Sequence, residues 1–231
     1  MTEANNMDEG EPLNMRTNVI DGLLTKPPEG YVFLIMASQD THYDLFMRTI
    51  INRAMEIGLT ILEVITEARN REIMSDMAKL QGGGFQILEI SYGQETYGNH
   101  VCSPHLHEIN IRLRALRNEI NPNIIVFEGL TPLLIDFSPR DVVQFFKECV
   151  EESIKAGSIE FYLIHADTAD SVTMNQLFSL AQGIVTLNTS MGKNYLTVKK
   201  SKGVELPYNP IEYVARMTAE KKSDWRIALN W

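Results

Sequence analysis

The stretch VFLIMA-SQDTHYD-LFMRTIINRAMEIG-L-TILEVIT, residues 32–66, decides the fold. Val32 to Ala37 is an unbroken apolar run of strand length, as expected of a strand buried on both faces. From Leu45 onward the period changes. Phe46, Ile50 and Ala54 recur every fourth residue, as do Met47 and Ile51, which predicts an amphipathic helix over Leu45–Gly58 ending at a glycine. Thr60 to Thr66 returns to strand character. Strand, loop, helix and strand in this order form a β-α-β unit, whose two strands lie parallel in one sheet.

The same alternation continues outward, so the chain reads as one α/β domain with a mostly parallel sheet, without internal repeat or linker. Arg69–Gln81 reads as a helix stopped by Gly82-Gly83-Gly84, and Phe85–Tyr92 as a third strand. Tyr92–Val101 reads as a polar loop. Ser103-Pro104 then looks like an N-cap with proline at the first helical position, opening a helix that runs to Asn121. Asn123–Leu130 (NIIVFEGL) is the most apolar strand and carries Glu128 near its C-terminal end. Ser138–Ala156 is expected to be a helix, Phe161–His165 a strand and Val172–Ala181 a short helix. Gly183–Leu187 and Tyr195–Lys199 are expected to pair as a hairpin across Asn188–Asn194, with a last strand at Ile211–Val214.

Composition narrows the function. The chain has 231 residues, 44% of them hydrophobic, and a formal net charge of −9. No apolar run reaches the ~18 residues that a membrane-spanning helix needs. The acidic start, MTEANNMDEGEP, has neither signal nor transit character, and residues 1–16 are expected to be a disordered acidic tail. Two cysteines, Cys102 and Cys149, in unrelated contexts fit reduced thiols in a cytoplasmic protein. The negative charge disfavours a general nucleic-acid binder, although Lys193, Lys199, Lys200 and Lys202 cluster locally. His100, Cys102, His105 and His107 have zinc-compatible chemistry but follow no standard ligand spacing, so no metal is expected. The C-terminus, with Trp225 and Trp231 after Lys221-Lys222, is expected to be a short helix packed on its own domain.

The loop after the first strand has the length and place of a phosphate-binding loop, G-x-x-x-x-G-K-[ST]. Its four defining positions are filled by Ala37, His42, Tyr43 and Asp44. A side chain at His42 crowds the backbone that must approach phosphate. Tyr43 supplies no cation, and Asp44 puts a negative charge where a magnesium-binding hydroxyl belongs. Each change opposes anion binding. In open parallel sheets ligands sit beyond the C-terminal strand ends, which here also carry Glu67, Glu128 and the His165-Ala166-Asp167 turn.

From Thr17 to Val214 the sequence resembles the RecA-superfamily ATPases of the KaiC/Rad55-like group. Asn18-Val19-Ile20-Asp21-Gly22-Leu23-Leu24 is similar to their N-terminal "iD.ll" motif, and Asn52–Gly58 to the end of their first helix. Thr66-Glu67 resembles the segment bearing the catalytic acids, with Ala68 at the second acid. Ile124–Leu134 resembles the Walker B segment "hhhhDSLspLL", with Glu128 for Asp and Gly129 for Ser. Gln176–Val185 resembles "lADgvi", with Gln182 for Asp. Val198–Gly203 is similar to the "K-x-R-G" turn that in family hexamers reaches a neighbour's nucleotide; Lys200 keeps the lysine and Lys202 replaces the arginine.

The resemblance implies a RecA-like three-layer sandwich: a mostly parallel central sheet with helices on both faces and a C-terminal antiparallel hairpin. Combined with the altered loop, it implies a non-catalytic regulatory or scaffolding subunit, a pseudo-ATPase acting in signalling or assembly. Glu67 and Glu128 would then be vestigial acids, Lys200 and Lys202 interface residues, and no cofactor is expected. The partner would be another protein or further copies of the chain. The alternatives are an ATPase with an unconventional loop, using ATP and magnesium, and a nucleic-acid-associated RecA-like subunit. If the loop no longer wraps phosphate, Gln39–Tyr43 should close over that place, with His42 or Tyr43 filling part of it.

Overall fold

The computed structural model describes residues 18–66, 84–93, 96–217 and 225–230. Residues 1–17, Glu67, Ala68, the segment Arg69–Gln81 for which a helix is expected, Lys221, Lys222 and Trp231 lie outside these residues. In chain order the elements are α1 (Asn18–Thr25), β1 (Val32–Ala37), α2 (Tyr43–Glu56), β2 (Ile61–Ile65), β3 (Phe85–Ile90) and β4 (His100–Cys102). They continue with α3 (Leu106–Ile120), β5 (Ile124–Glu128), α4 (Leu130–Asp136), α5 (Pro139–Ala156), β6 (Ile159–His165) and α6 (Ser171–Leu180). The chain closes with β7 (Gly183–Ser190), β8 (Lys193–Ser201), β9 (Ile211–Met217) and β10 (Trp225–Asn230).

All ten strands join one sheet in the order β10-β9-β8-β7-β1-β6-β5-β2-β3-β4. Strands β7 through β4 in that order are mutually parallel, and β8, β9 and β10 continue the β7 edge antiparallel. Side chains alternate between the two faces. Phe33, Ile35 and Ala37 of β1 face a layer with α1 and α2, packed by Leu23, Phe46 and Ile50. Val32 and Leu34 face the opposite layer with α3 to α6, packed by Leu113, Phe146 and Leu177. This is the expected RecA-like three-layer sandwich with a mostly parallel core.

Local signals explain several boundaries. Ser138 caps α5 by accepting from the Asp141 N–H, Pro139 follows it, and Gly157 closes the helix in the left-handed conformation. The helix expected at Ser103-Pro104 starts later, at Leu106 with His105 as N-cap. The Ser103 hydroxyl donates to the Glu108 carboxylate and so does not serve as the cap. Part of the expected Tyr92–Val101 loop is strand β4, whose three polar-flanked residues are too few to show a period. The β7–β8 hairpin is longer than expected, because Met191 and Gly192, with φ of 51° and 73°, form the tight turn themselves. The expected C-terminal helix is instead strand β10, paired antiparallel with β9 from Trp225 opposite Met217. Helices α1 and α4, of eight and seven residues, are too short to declare themselves by periodicity. No helix among the described residues is long and apolar enough to cross a membrane.

Candidate functional site at the C-terminal strand ends

β1 ends at Ala37, flanked in register by His165 of β6 and Leu187 of β7. The chain then folds back tightly. The Ser38 N–H donates to the Leu187 carbonyl at 3.1 Å, and the Thr41 N–H and hydroxyl both donate to the Ser38 carbonyl, at 3.2 and 2.6 Å. Thr41 is fully buried, and its carbonyl accepts the hydroxyl of Tyr213 from β9. Burial pushes the Tyr213 phenol up to about 12, and the negative charges of Asp40 and Asp44 add to the shift.

His42 precedes α2 in the left-handed region, with φ 48° and ψ 41°, and makes no side-chain cap. This is the position at which a phosphate loop carries its second glycine, and glycine occupies that region without steric cost. The backbone thus retains a bend suited to glycine, while the side chain does not. His42→Val should destabilise the protein by about 1–2 kcal/mol, since a β-branched residue is poorly accommodated there. His42→Gly should be near neutral, the relief of strain offsetting the added chain entropy. Urea denaturation of both variants checks this; equal losses would mean that the bend is not what constrains the site.

Tyr43, at the position where a phosphate-binding loop carries lysine, lays its ring against that of His165, with centroids 4.6 Å apart and planes at 57°. It also packs on the α1–α2 layer. Of the two residues expected to fill the space above the strand tips, Tyr43 is therefore the one turned inward; His42 is exposed. The neighbouring tips are cross-tied. The Thr66 hydroxyl bonds to the carbonyls of Glu128 and Gly129, each at 2.9 Å, and the His165 N–H donates to the Thr131 hydroxyl at 2.9 Å. Glu128 is 4% exposed, so it is a buried acid at the end of β5. Glu67 lies outside the described residues.

Lys200 and Lys202 are at the other end of the sheet. Because β8 runs antiparallel to β7, its last residues lie beside Gly183 at the N-terminal edge, away from the Ala37–Asp44 loop. The Lys200 ammonium donates to the carbonyls of Phe178 and Ala181, at 2.9 and 2.5 Å, and so caps the C-terminus of α6. Burial lowers its pKa, and Lys202 lowers it further. Lys202 is exposed. Gln182, where the resembled motif has Asp, pins the start of β1: its amide oxygen accepts from Val32 N–H and its amide nitrogen donates to the Gly30 carbonyl.

Within the histidine cluster, His100 is held by partners of its own. His100 bonds through Nε2 to Gln86 and through Nδ1 to the Arg112 guanidinium, which makes Nδ1 an acceptor. Burial lowers the pKa of His100, and Arg112 adds to it. No group of three or more potential metal ligands occurs among the described residues. Burial raises the Cys149 thiol to about 12 and the Cys102 thiol to about 11, which disfavours the thiolate at both.

No protein-family model matches the sequence, and no curated protein matches it either. Solved structures do. The chain is similar to a KaiC-like protein from the hyperthermophilic archaeon Pyrococcus horikoshii, with TM-score 0.68, 15% identity, and coverage of 88% of this chain and 90% of that one. It is also similar to the flagellar accessory protein FlaH from Methanocaldococcus jannaschii, with TM-score 0.64, 13% identity, and coverage of 94% and 96%. At these identities the likeness is one of fold, and it extends over nearly the whole of each chain.

Proposed function

We propose that this RecA/KaiC-like domain serves as a regulatory or scaffolding subunit that does not hydrolyse ATP. The observation that carries this reading is the side-chain content of the loop between β1 and α2. An aromatic ring pointing to His165 stands in place of the lysine, and an aspartate in place of the hydroxyl. Each charged hydrogen bond lost to phosphate is worth roughly 1.5–3 kcal/mol, and an added carboxylate repels the same anion. Two such losses turn a micromolar site into one of millimolar affinity or weaker. The buried Glu128 is then a remnant of a magnesium-holding acid, and Glu67 a remnant of a water-activating one.

Surfaces rather than chemistry are what such a domain offers, so its partner is another protein or further copies of itself. Lys202 is available to a partner, whereas Lys200 is committed to its own helix. The net charge of −9 disfavours nucleic acid as that partner.

Isothermal titration with MgATP should give a dissociation constant weaker than about 1 mM, equivalent to roughly −4 kcal/mol, with no magnesium-dependent phosphate release. A micromolar constant would overturn the proposal and favour an ATPase with an unconventional loop.

A further inference from the structure

The sheet face under α6 continues past that helix onto β7 and β8, where no helix among the described residues covers it. β7 presents Thr186, Asn188 and Ser190 there, and β8 presents Tyr195, Thr197 and Lys199, while Leu187, Leu196 and Val198 alternate into the α1–α2 layer. With Met36 on one side and Pro210 on the other, these residues line a groove of about 520 Å³. That volume falls within the ~300–1,000 Å³ typical of small-molecule sites.

Two features separate this groove from an ordinary wetted sheet face. Its floor is polar yet shielded: Thr186 and Thr197, paired in register, are only 5% and 6% exposed. A face meant for a helix would carry aliphatic side chains there, as the neighbouring strands do. The second feature is a β-bulge. Val185 pairs with Val198 but Ile184 pairs with Lys200, so Lys199 is the extra residue. Without the bulge, Lys199 and Lys200 would point to opposite faces; with it, both turn to the α6 side. Lys200 is used to cap α6. Lys199 is exposed at the groove and forms no ion pair among the described residues. Lys193, at the far end of the same strand, is instead held by Glu212 at 2.7 Å. None of the described lining residues carries a carboxylate, in a chain with 30 acidic and 21 basic residues.

We infer that this groove binds a small organic oxyanion with a flat apolar body. Lys199 meets the anionic head and the neighbouring Thr197 hydroxyl donates to its oxygens, while Met36, Pro210 and Tyr195, further along the groove toward Asn188, hold the body. A phosphate monoester and a carboxylate share this chemistry. The site lies on the opposite sheet face from α2, so it stands whether or not the loop binds nucleotide.

The test is an amide chemical-shift titration of the isotopically labelled full chain with phenyl phosphate, benzoate, inorganic phosphate and benzyl alcohol. Saturable shifts at Thr186–Asn188 and Tyr195–Lys199 with phenyl phosphate or benzoate are expected, at least tenfold tighter than with benzyl alcohol or inorganic phosphate. The tighter of the two aromatic anions identifies the head group. Lys199→Met should weaken that binding at least tenfold, while Lys202→Met, outside the groove, should leave it unchanged. Absence of shifts with both aromatic anions overturns the inference, as does binding indifferent to Lys199→Met or equal affinity for benzyl alcohol.

Discussion

Arg117→Met is expected to destabilise the protein by about 3–5 kcal/mol, the usual consequence of leaving one member of a buried ion pair uncompensated. The Arg117 and Glu160 side chains are 2% and 0% exposed. Glu160 accepts from Arg117 Nε at 3.0 Å and Nη2 at 2.8 Å, from the Ser158 hydroxyl at 2.7 Å and from the Tyr162 hydroxyl at 2.6 Å. Burial works against the guanidinium charge, yet Glu160 beside it holds the Arg117 pKa above its ordinary value. Without arginine, two hydroxyls alone face a carboxylate in the core. The pair is nevertheless not optimal, because Arg117 Nη1 is buried without a hydrogen-bond partner among the described residues. Arg117→Met combined with Glu160→Met should therefore recover most of the loss. Midpoints and slopes of urea denaturation measure both. A single variant losing less than about 1 kcal/mol, within reach of an exposed pair, would show that water reaches Glu160.

Gly129→Ser, which restores the residue of the resembled motif, should cost about 3 kcal/mol from backbone strain and overpacking combined. Gly129 has φ 119° and ψ 92°, outside the region that side chains tolerate. A Cβ there would sit 2.5 Å from the Thr66 hydroxyl and 3.2 Å from the Pro132 ring. Adding Thr66→Ala removes the clash but not the strain, so the double variant should remain about 1–3 kcal/mol below the parent. The same denaturation experiment decides it. A Gly129→Ser protein as stable as the parent would mean that the β5–α4 turn can adopt a second geometry, and with it a different setting of Glu128.

What the sequence determined by itself is the parallel core. The unbroken apolar runs of β1 and β5, the helical period after Leu45 and the Ser138-Pro139 cap are local signals, each complete within a few turns or strand residues. They placed the parallel strands, their C-terminal ends and the loop that follows the first strand. Strand β4 was missed because three residues carry no period, and β10 because an apolar stretch of its length reads equally well as a short helix until β9 lies beside it.

Only the tertiary structure decided the use of single side chains. Lys200 looks like a surface cation until α6 ends within reach of its ammonium. Tyr43 becomes a lid on His165, and Tyr213 a donor to Thr41 across 172 residues of sequence, because the sheet brings their backbones together. The Arg117–Glu160 pair left no mark in the sequence, since either residue alone reads as surface charge. Spacing reports which face of its own element a side chain occupies. Which distant group it meets there depends on the order and register of the strands, and these are set by packing the whole chain at once.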